Sequence, residues 1–464
     1  MLPTKIVVIG AGSASFGLNT LGALMRSRRL TGSQLALVDQ NADTLEVVCH
    51  LADRLNREWG SQMTISAYTS HRQALQGAQF VVSAIEVPPR ERLWRSDFEI
   101  PLRHGVRQPY AENGGPGGFA HAARNIGPVL KIAHDMEQVC PNAWFINFTN
   151  PMVRICDAVT RYSRIRTIGL CHQIYAGYGI VGVLLAGELG IALPADETVS
   201  TFADPKYWTV LDRISRSAAK VVDIKAAGVN HFTWMLDIRD TRTGEDLYPL
   251  VRKRWSQADP TFEPLTQRLL NAFGLMPIPG DSHLCEYLPW TSDPQTRPWD
   301  KYNLNLYDWD RAEKSRGEGH RRIALMGEGK LGVEELKESD SEGALEMIEN
   351  IAGGTNHYHL AVNLPNDGYI TNLPAGAIVE TPGLISGFGA RGFPVGALPE
   401  PVAELLRHEL ARVRLSVDAA ATGDRQAALQ CLLLDPNITD IEAAQAILDD
   451  YLTSYRQYLP QFWQ

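Results

Sequence analysis

A short apolar strand, Lys5 to Ile9, runs directly into Gly10-Ala11-Gly12-Ser13-Ala14-Ser15-Phe16-Gly17, and a helical pattern opens at about Ser15. A chain that turns through glycines from strand to helix aims backbone amides and a helix N-terminus at one point, where a pyrophosphate can sit. Glycines also make plain tight turns, so the context matters. A second strand, Leu35 to Val38, ends at Asp39, close to the spacing at which an acid bonds ribose hydroxyls. The competing role for Asp39 is to cap the helix opened by Asn41. The third glycine of the strict G-x-G-x-x-G pattern is displaced, with Ser15 in its place and Gly17 beyond. Gly10, Gly12, Ser13, Phe16, Gly17 and Asp39 are therefore expected to hold a dinucleotide. NAD fits better than NADP, because an acid followed by Gln40 and no arginine repels a ribose phosphate.

The alternation continues. Apolar runs Phe80 to Ala84, Trp144 to Phe148 and Thr167 to Leu170 read as further strands separated by amphipathic stretches. Repeated βαβ units of this kind give a doubly wound parallel sheet. A chain of 464 residues exceeds one ordinary core. We expect an α/β protein with a Rossmann domain over residues 1–200 and an α+β substrate domain, carrying metal and oligomer contacts, over 201–464. The second part shows a strand-like Met235 to Ile238, then helices near Gly343 to Ile351 and Pro401 to Val417. No repeat or Ser/Gly linker separates the two, so the domains should share a site.

Charge narrows the partners. A net charge of −9 disfavours nucleic acid and anionic membrane surfaces, since phosphates repel such a chain. A small soluble substrate suits it better. The N-terminal apolar stretch is too short for a signal peptide, and the run Ile180 to Leu193 is interrupted by Glu188, short of the roughly 20 residues a membrane crossing needs. Six scattered cysteines lack the spacing of a disulfide framework, which suggests reduced thiols and a cytoplasmic protein.

Open α/β sheets present functional groups at the carboxyl ends of their strands. Two strands end in polar clusters, Asn147-Phe148-Thr149-Asn150-Pro151 and Cys171-His172-Gln173. Farther on, Asn230-His231-Phe232 closes an apolar approach. A thiolate and an imidazole together suit a borderline divalent ion, which makes Cys171 and His231 candidate ligands. Singly, each has a plainer reading as a buried thiol or a satisfied core histidine.

These segments resemble glycoside hydrolase family 4, the NAD- and manganese-dependent glycosidases. The match runs in order through Ile9 to Ser13 with Phe16-Gly17, Glu99-Ile100-Pro101 to Gly117-Gly118 (the family's substrate loop), Asn147 to Pro151, Gly169 to His172, Gly228 to Phe232, Gly280 to His283, Asn372-Leu373-Pro374 and Val379-Glu380. The resemblance implies NAD and Mn(II), or another divalent metal, as cofactors, with Cys171 and His231 on the metal. It implies Asp281, Glu112 and His172 as catalytic candidates, and Asn150, Asn113 and Asn230 as substrate contacts. The implied reaction removes a hydride from sugar C3, which acidifies the C2 proton for a base such as Asp281. The aglycone then leaves, water adds at C1, and the hydride returns. The family is an exception to the two-carboxylate rule of glycosidases.

Phosphate-specific members usually carry Asn or Asp after the cysteine, whereas this chain has His172, which resembles the branch acting on unphosphorylated α-glycosides. An α-galactoside or α-glucoside is favoured. Gln173 departs from the serine common in that branch and leaves an α-glucuronide or α-galacturonide as the alternative, with Arg92, Arg95 or Arg107 as the cation for its carboxylate. A hydroxy-acid dehydrogenase would share the first half of the chain, and an NAD-sensing protein would need no metal pair. A homodimer or homotetramer is the assembly the resemblance implies.

Overall fold

The computed structural model describes residues 1–13, 16–193, 207–304, 307–339 and 341–464. The border expected at residue 200, and Ala14 and Ser15 of the glycine turn, lie outside them.

Six parallel strands make the first half of the main sheet: β1 (Lys5–Ile9), β2 (Gln34–Val38), β3 (Thr64–Tyr68), β4 (Phe80–Ser83), β5 (Trp144–Asn147) and β6 (Arg166–Gly169). Their order, β3-β2-β1-β4-β5-β6, is that of the dinucleotide-binding doubly wound fold. The inner strands are short and apolar because helices cover both faces; β4 is buried along its whole length. Of these six, the strand that sequence reading passed over, β3, is an edge strand whose Thr-Ile-Ser-Ala-Tyr stays partly exposed, so it carries little apolar signal. Asn41 caps helix Ala42–Trp59 with its own side chain, accepting from the Thr44 amide at 3.1 Å.

The sheet does not stop at β6. Three later strands, β10 (His357–Pro365), β11 (Ile378–Ser386) and β12 (Gly389–Gly392), add antiparallel to it and extend it to nine strands. Before them, β7 (Val222–Ala227), β8 (Trp234–Asp240) and β9 (Met276–Pro277) form a separate antiparallel sheet. Helices Ala344–Gly353 and Glu400–Thr422 lie where expected.

The expected substrate loop from Glu99 to Gly118 is helical at both ends. Its start belongs to helix Arg90–Arg103 and its end to helix Gly115–Val139, leaving 104–114 as the loop. Gly114 has no side chain to cap the second helix, and Gln108 Oε1 accepts the Gly117 amide at 2.8 Å instead. One face of the main sheet packs under helix Gly115–Val139 together with the C-terminal helices, so Val81 and Phe145 share a core with Val417, Ile447 and Tyr451. No helix among the described residues is long and apolar enough to cross a membrane; the run near Ile180 is divided between helices Ile174–Leu184 and Ala186–Leu189.

Candidate active site

The carboxyl ends of β1, β2, β4, β5 and β6 line one edge of the sheet, and the chemistry-bearing side chains collect there. After β1, Gly10 takes φ +83°, and a Cβ on it would press to 2.5 Å from the Ala84 carbonyl. A Cβ on Gly12 would meet the Asp39 carboxylate at 2.7 Å, and one on Gly17 would run into the Ala11 carbonyl. The turn thus needs glycine for close approach of backbone. Its own amides are already used: Gly10 and Ala11 donate to the Val38 carbonyl, Ser13 to the Gly10 carbonyl, and Gly12 to Asp39 Oδ2 at 2.9 Å. The open donors for a pyrophosphate are then those at the start of helix Phe16–Arg26. Asp39 Oδ1 accepts from the Asn41 amide at 2.9 Å, so this carboxylate braces the turn and the next helix together. His320 was not anticipated; its Nε2 lies 2.8 Å from the Gly12 carbonyl oxygen.

After β6, Cys171 Sγ sits 3.4 Å from His231 Nε2. Sequence alone separates these residues by 60 positions. His231 is held at φ +64°, a conformation that a residue with a side chain adopts only when its surroundings impose it. Gln173 imposes it in part, since its Oε1 accepts the His231 amide at 2.8 Å. Burial, then the neighbouring His283 and His172, lowers the His231 pKa well below 6.5, which keeps the ring neutral with a lone pair to offer. Burial and then the charges of Glu380 and Glu342 push the Cys171 thiol up. A divalent ion held here would favour the thiolate form instead.

This donor set fits a metal. A sulfur and an imidazole nitrogen already in contact match the ligand types that borderline divalent ions select. Among the described residues no group of three or more His, Cys, Asp or Glu side chains is placed to hold a metal ion. Buried polar atoms nearby also lack partners: Gln173 Nε2, Asn230 Oδ1 and Asn113 Oδ1. Such atoms cost free energy unless a ligand or water satisfies them.

The Glu112 loop is built from three directions. Glu112 Oε1 accepts from Arg90 at 3.1 Å, and Asn113 Nδ2 donates to Glu112 Oε2 at 3.3 Å. Glu286, fully buried, accepts the amides of Glu112, Asn113 and Gly114 at 2.8, 2.7 and 3.1 Å on one oxygen. Its other oxygen lies 3.0 Å from His283 Nδ1, and the His283 ring stacks parallel on His231 with centroids 4.4 Å apart. Glu86, three residues past β4, bonds His121 Nε2 at 2.9 Å and Asn125 at 3.0 Å. Asn125 Nδ2 also donates to the Asn150 carbonyl, which precedes a cis bond to Pro151.

Two candidates stand apart. Asp281 is buried with both carboxylate oxygens engaged: Oδ2 accepts the Leu265 amide at 3.0 Å, and Oδ1 accepts the amide and hydroxyl of Thr266 at 2.7 Å. It closes the N-terminus of helix Pro264–Phe273, and a base for a bound sugar would need one of those oxygens free. His172 is exposed, with Nδ1 3.0 Å from Glu342. Glu86, Arg90, His121 and Glu286 went unread in the sequence. For Glu86 the signal existed, because Phe80 to Ala84 was recognised as a strand and its carboxyl end was not followed outward.

Residues 5–184 match the model of family 4 glycosyl hydrolases, and residues 226–438 match the C-terminal domain of the same family. An α-glucosidase of Erwinia rhapontici is 30% identical, with 99% of each chain covered. An α-galactosidase of Bacillus subtilis (strain 168) is 29% identical, again over 99% of each. Among solved structures, a 6-phospho-α-glucosidase from gut microorganisms in complex with NAD and Mn2+ superposes with a TM-score of 0.78 at 22% identity, covering 99% of both chains.

Proposed function

The chain belongs to family 4 of the glycosyl hydrolases, and from that premise we propose that it hydrolyses O-glycosidic bonds of unphosphorylated α-glycosides, α-galactosides or α-glucosides first, with NAD and a divalent metal such as Mn(II). The observation that carries this reading is the contact of Cys171 Sγ with His231 Nε2 at 3.4 Å, at the carboxyl edge of a sheet whose first turn suits a dinucleotide. Relatives named for α-glucosidase and α-galactosidase activity support the substrate class. The 6-phospho-α-glucosidase with NAD and Mn2+ bound supports the cofactors, and His172 in place of Asn or Asp speaks for a sugar without phosphate.

Bound NAD would supply a reversible hydride acceptor for the sugar, and a divalent metal would supply Lewis-acid stabilisation of developing negative charge. The chain's own residues do the rest. Cys171 and His231 would hold the metal. The unpartnered Oδ1 atoms of Asn113 and Asn230 are acceptors for sugar hydroxyls, and Asn150 completes this set. Glu112, steered by Arg90 and Asn113, handles the proton at the leaving oxygen. Asp281 takes the proton from C2 only by releasing Leu265 or Thr266.

The test is a panel of p-nitrophenyl α- and β-glycosides, uronides and 6-phosphates, with NAD and Mn(II) present together and each omitted in turn. Aglycone release from an α-hexoside that needs both additions, without stoichiometric NADH, is the expected result. Accumulating NADH without aglycone release would mark a dehydrogenase and sink the proposal. One observation favours a uronide as the second reading. Arg95 is bonded to Asp310 at 2.6 Å, but Arg107 makes no ion pair among the described residues; its guanidinium stacks over the Trp299 ring at 3.8 Å, and its buried Nη1 has no hydrogen-bond partner among them.

A further inference from the structure

Glu380 lies on β11 and is 1% exposed. A buried carboxylate is normally matched by a cation, because an isolated charge is costly away from water. Here its partners are neutral: Asn230 Nδ2 at 2.7 Å and Asn363 Nδ2 at 3.0 Å on Oε2, and Thr233 Oγ1 at 2.8 Å on Oε1. No arginine, lysine or histidine pairs with it among the described residues. Its surroundings all lead to the candidate metal ligands. Asn230 immediately precedes His231, and its side chain also bonds Cys171. The Glu380 backbone exchanges two hydrogen bonds with Gly228, at 2.8 and 3.0 Å, on the segment that carries His231. Asn363, opposite Glu380 on β10, pairs in register with Gly169, two residues before Cys171.

We propose that Glu380 is the buried counter-charge of the metal centre: with the Cys171 thiolate it supplies two negative charges that one divalent cation neutralises, and through Asn230 it positions His231. Its role is that of a positioning residue, acting on His231 through Asn230. Partners of this outer kind typically change metal affinity by about 10- to 100-fold. The inference rests on the reading of Cys171 and His231 as ligands.

The experiment is Mn(II) binding to the full-length chain with NAD present, free ion being read by electron paramagnetic resonance, in wild type and Glu380→Gln. The variant is expected to bind Mn(II) at least 10-fold more weakly. It should also unfold no earlier than wild type when metal is absent, because a buried uncompensated charge is gone, and gain less in Tm when Mn(II) is added. A purely structural Glu380 predicts the reverse: lower Tm without metal and unchanged Mn(II) affinity. That result overturns the proposal. Wild type that binds no Mn(II) fails the ligand assignment itself, a separate outcome. Should Glu380→Gln not fold, Asn363→Asp adds a second carboxylate at the same place. It should tighten Mn(II) binding and lower the metal-free Tm, and Mn(II) affinity equal to wild type would overturn the proposal as well.

Discussion

Asp281 carries two readings that a pair of substitutions separates. Its carboxylate closes the N-terminus of helix Pro264–Phe273, and the family resemblance makes it the base at sugar C2. Thr266→Ala removes one hydrogen bond to Asp281 and leaves the carboxylate, so it should cost about 1 kcal/mol in urea unfolding and keep kcat within a few-fold. Asp281→Asn should lose a similar amount of stability but drop kcat by about 10²- to 10⁴-fold if the carboxylate is the base. Equal kcat for the two variants would leave Asp281 as a helix cap alone. The motif Gly280 to His283 was visible in the sequence, but the helix that Asp281 serves begins 17 residues earlier, and no local pattern joins them.

The loop 104–114 depends on helix Gly115–Val139, whose buried first turns carry His121 and Asn125. His121 Nδ1 lies 2.8 Å from the Glu112 carbonyl oxygen, and Nε2 faces Glu86, so a doubly protonated ring satisfies both. Burial pulls the His121 pKa down, yet the Glu86 charge and hydrogen bond outweigh it and leave it raised above 6.5. Burial pushes Glu86 up, yet His121, Arg90 and Asn125 bring it from 4.5 to about 2. The His121 contribution to stability is complete below pH 6.5 and fades as pH rises through its folded value; that of Glu86 is complete above 4.5 and fades toward pH 2. The pair is therefore strongest between those limits. Raising the pH from 6 to 9 should lower the urea midpoint of wild type more than that of His121→Gln, compared over the same buffers. Parallel pH profiles would exclude the charged pair. The family resemblance gave Glu99 to Gly118 as a substrate loop, and the structure keeps only 104–114 as one. The helix start has no capping side chain at Gly114: Gln108 takes the Gly117 amide, and distant Glu286 gathers the amides of Glu112, Asn113 and Gly114 just before it.

Across the whole molecule the N-terminal strands and the C-terminal helices build one core. Val81, Phe145 and Ile155 pack with Val417, Ile447 and Tyr451, while β10 takes the free edge of β6. A fragment of residues 1–200 would expose that apolar face and an unpaired strand edge. It should be recovered aggregated or without a cooperative thermal transition, whereas the full chain melts in one. A soluble fragment with a sharp transition would show an autonomous domain instead. What the sequence determined by itself is the local half of the design. Alternating apolar runs set the parallel strands, close glycine spacing set the first turn, and Asp39, Cys171 and His231 stood out as candidates by residue type and by position after a strand or an apolar approach. Only the tertiary structure decided which distant groups complete those ends. Glu286, His121 and Glu380 act from segments far from the residues they hold. Burial turned their polar side chains into obligatory hydrogen-bonding partners, and burial is a property of packing that no single stretch of chain encodes.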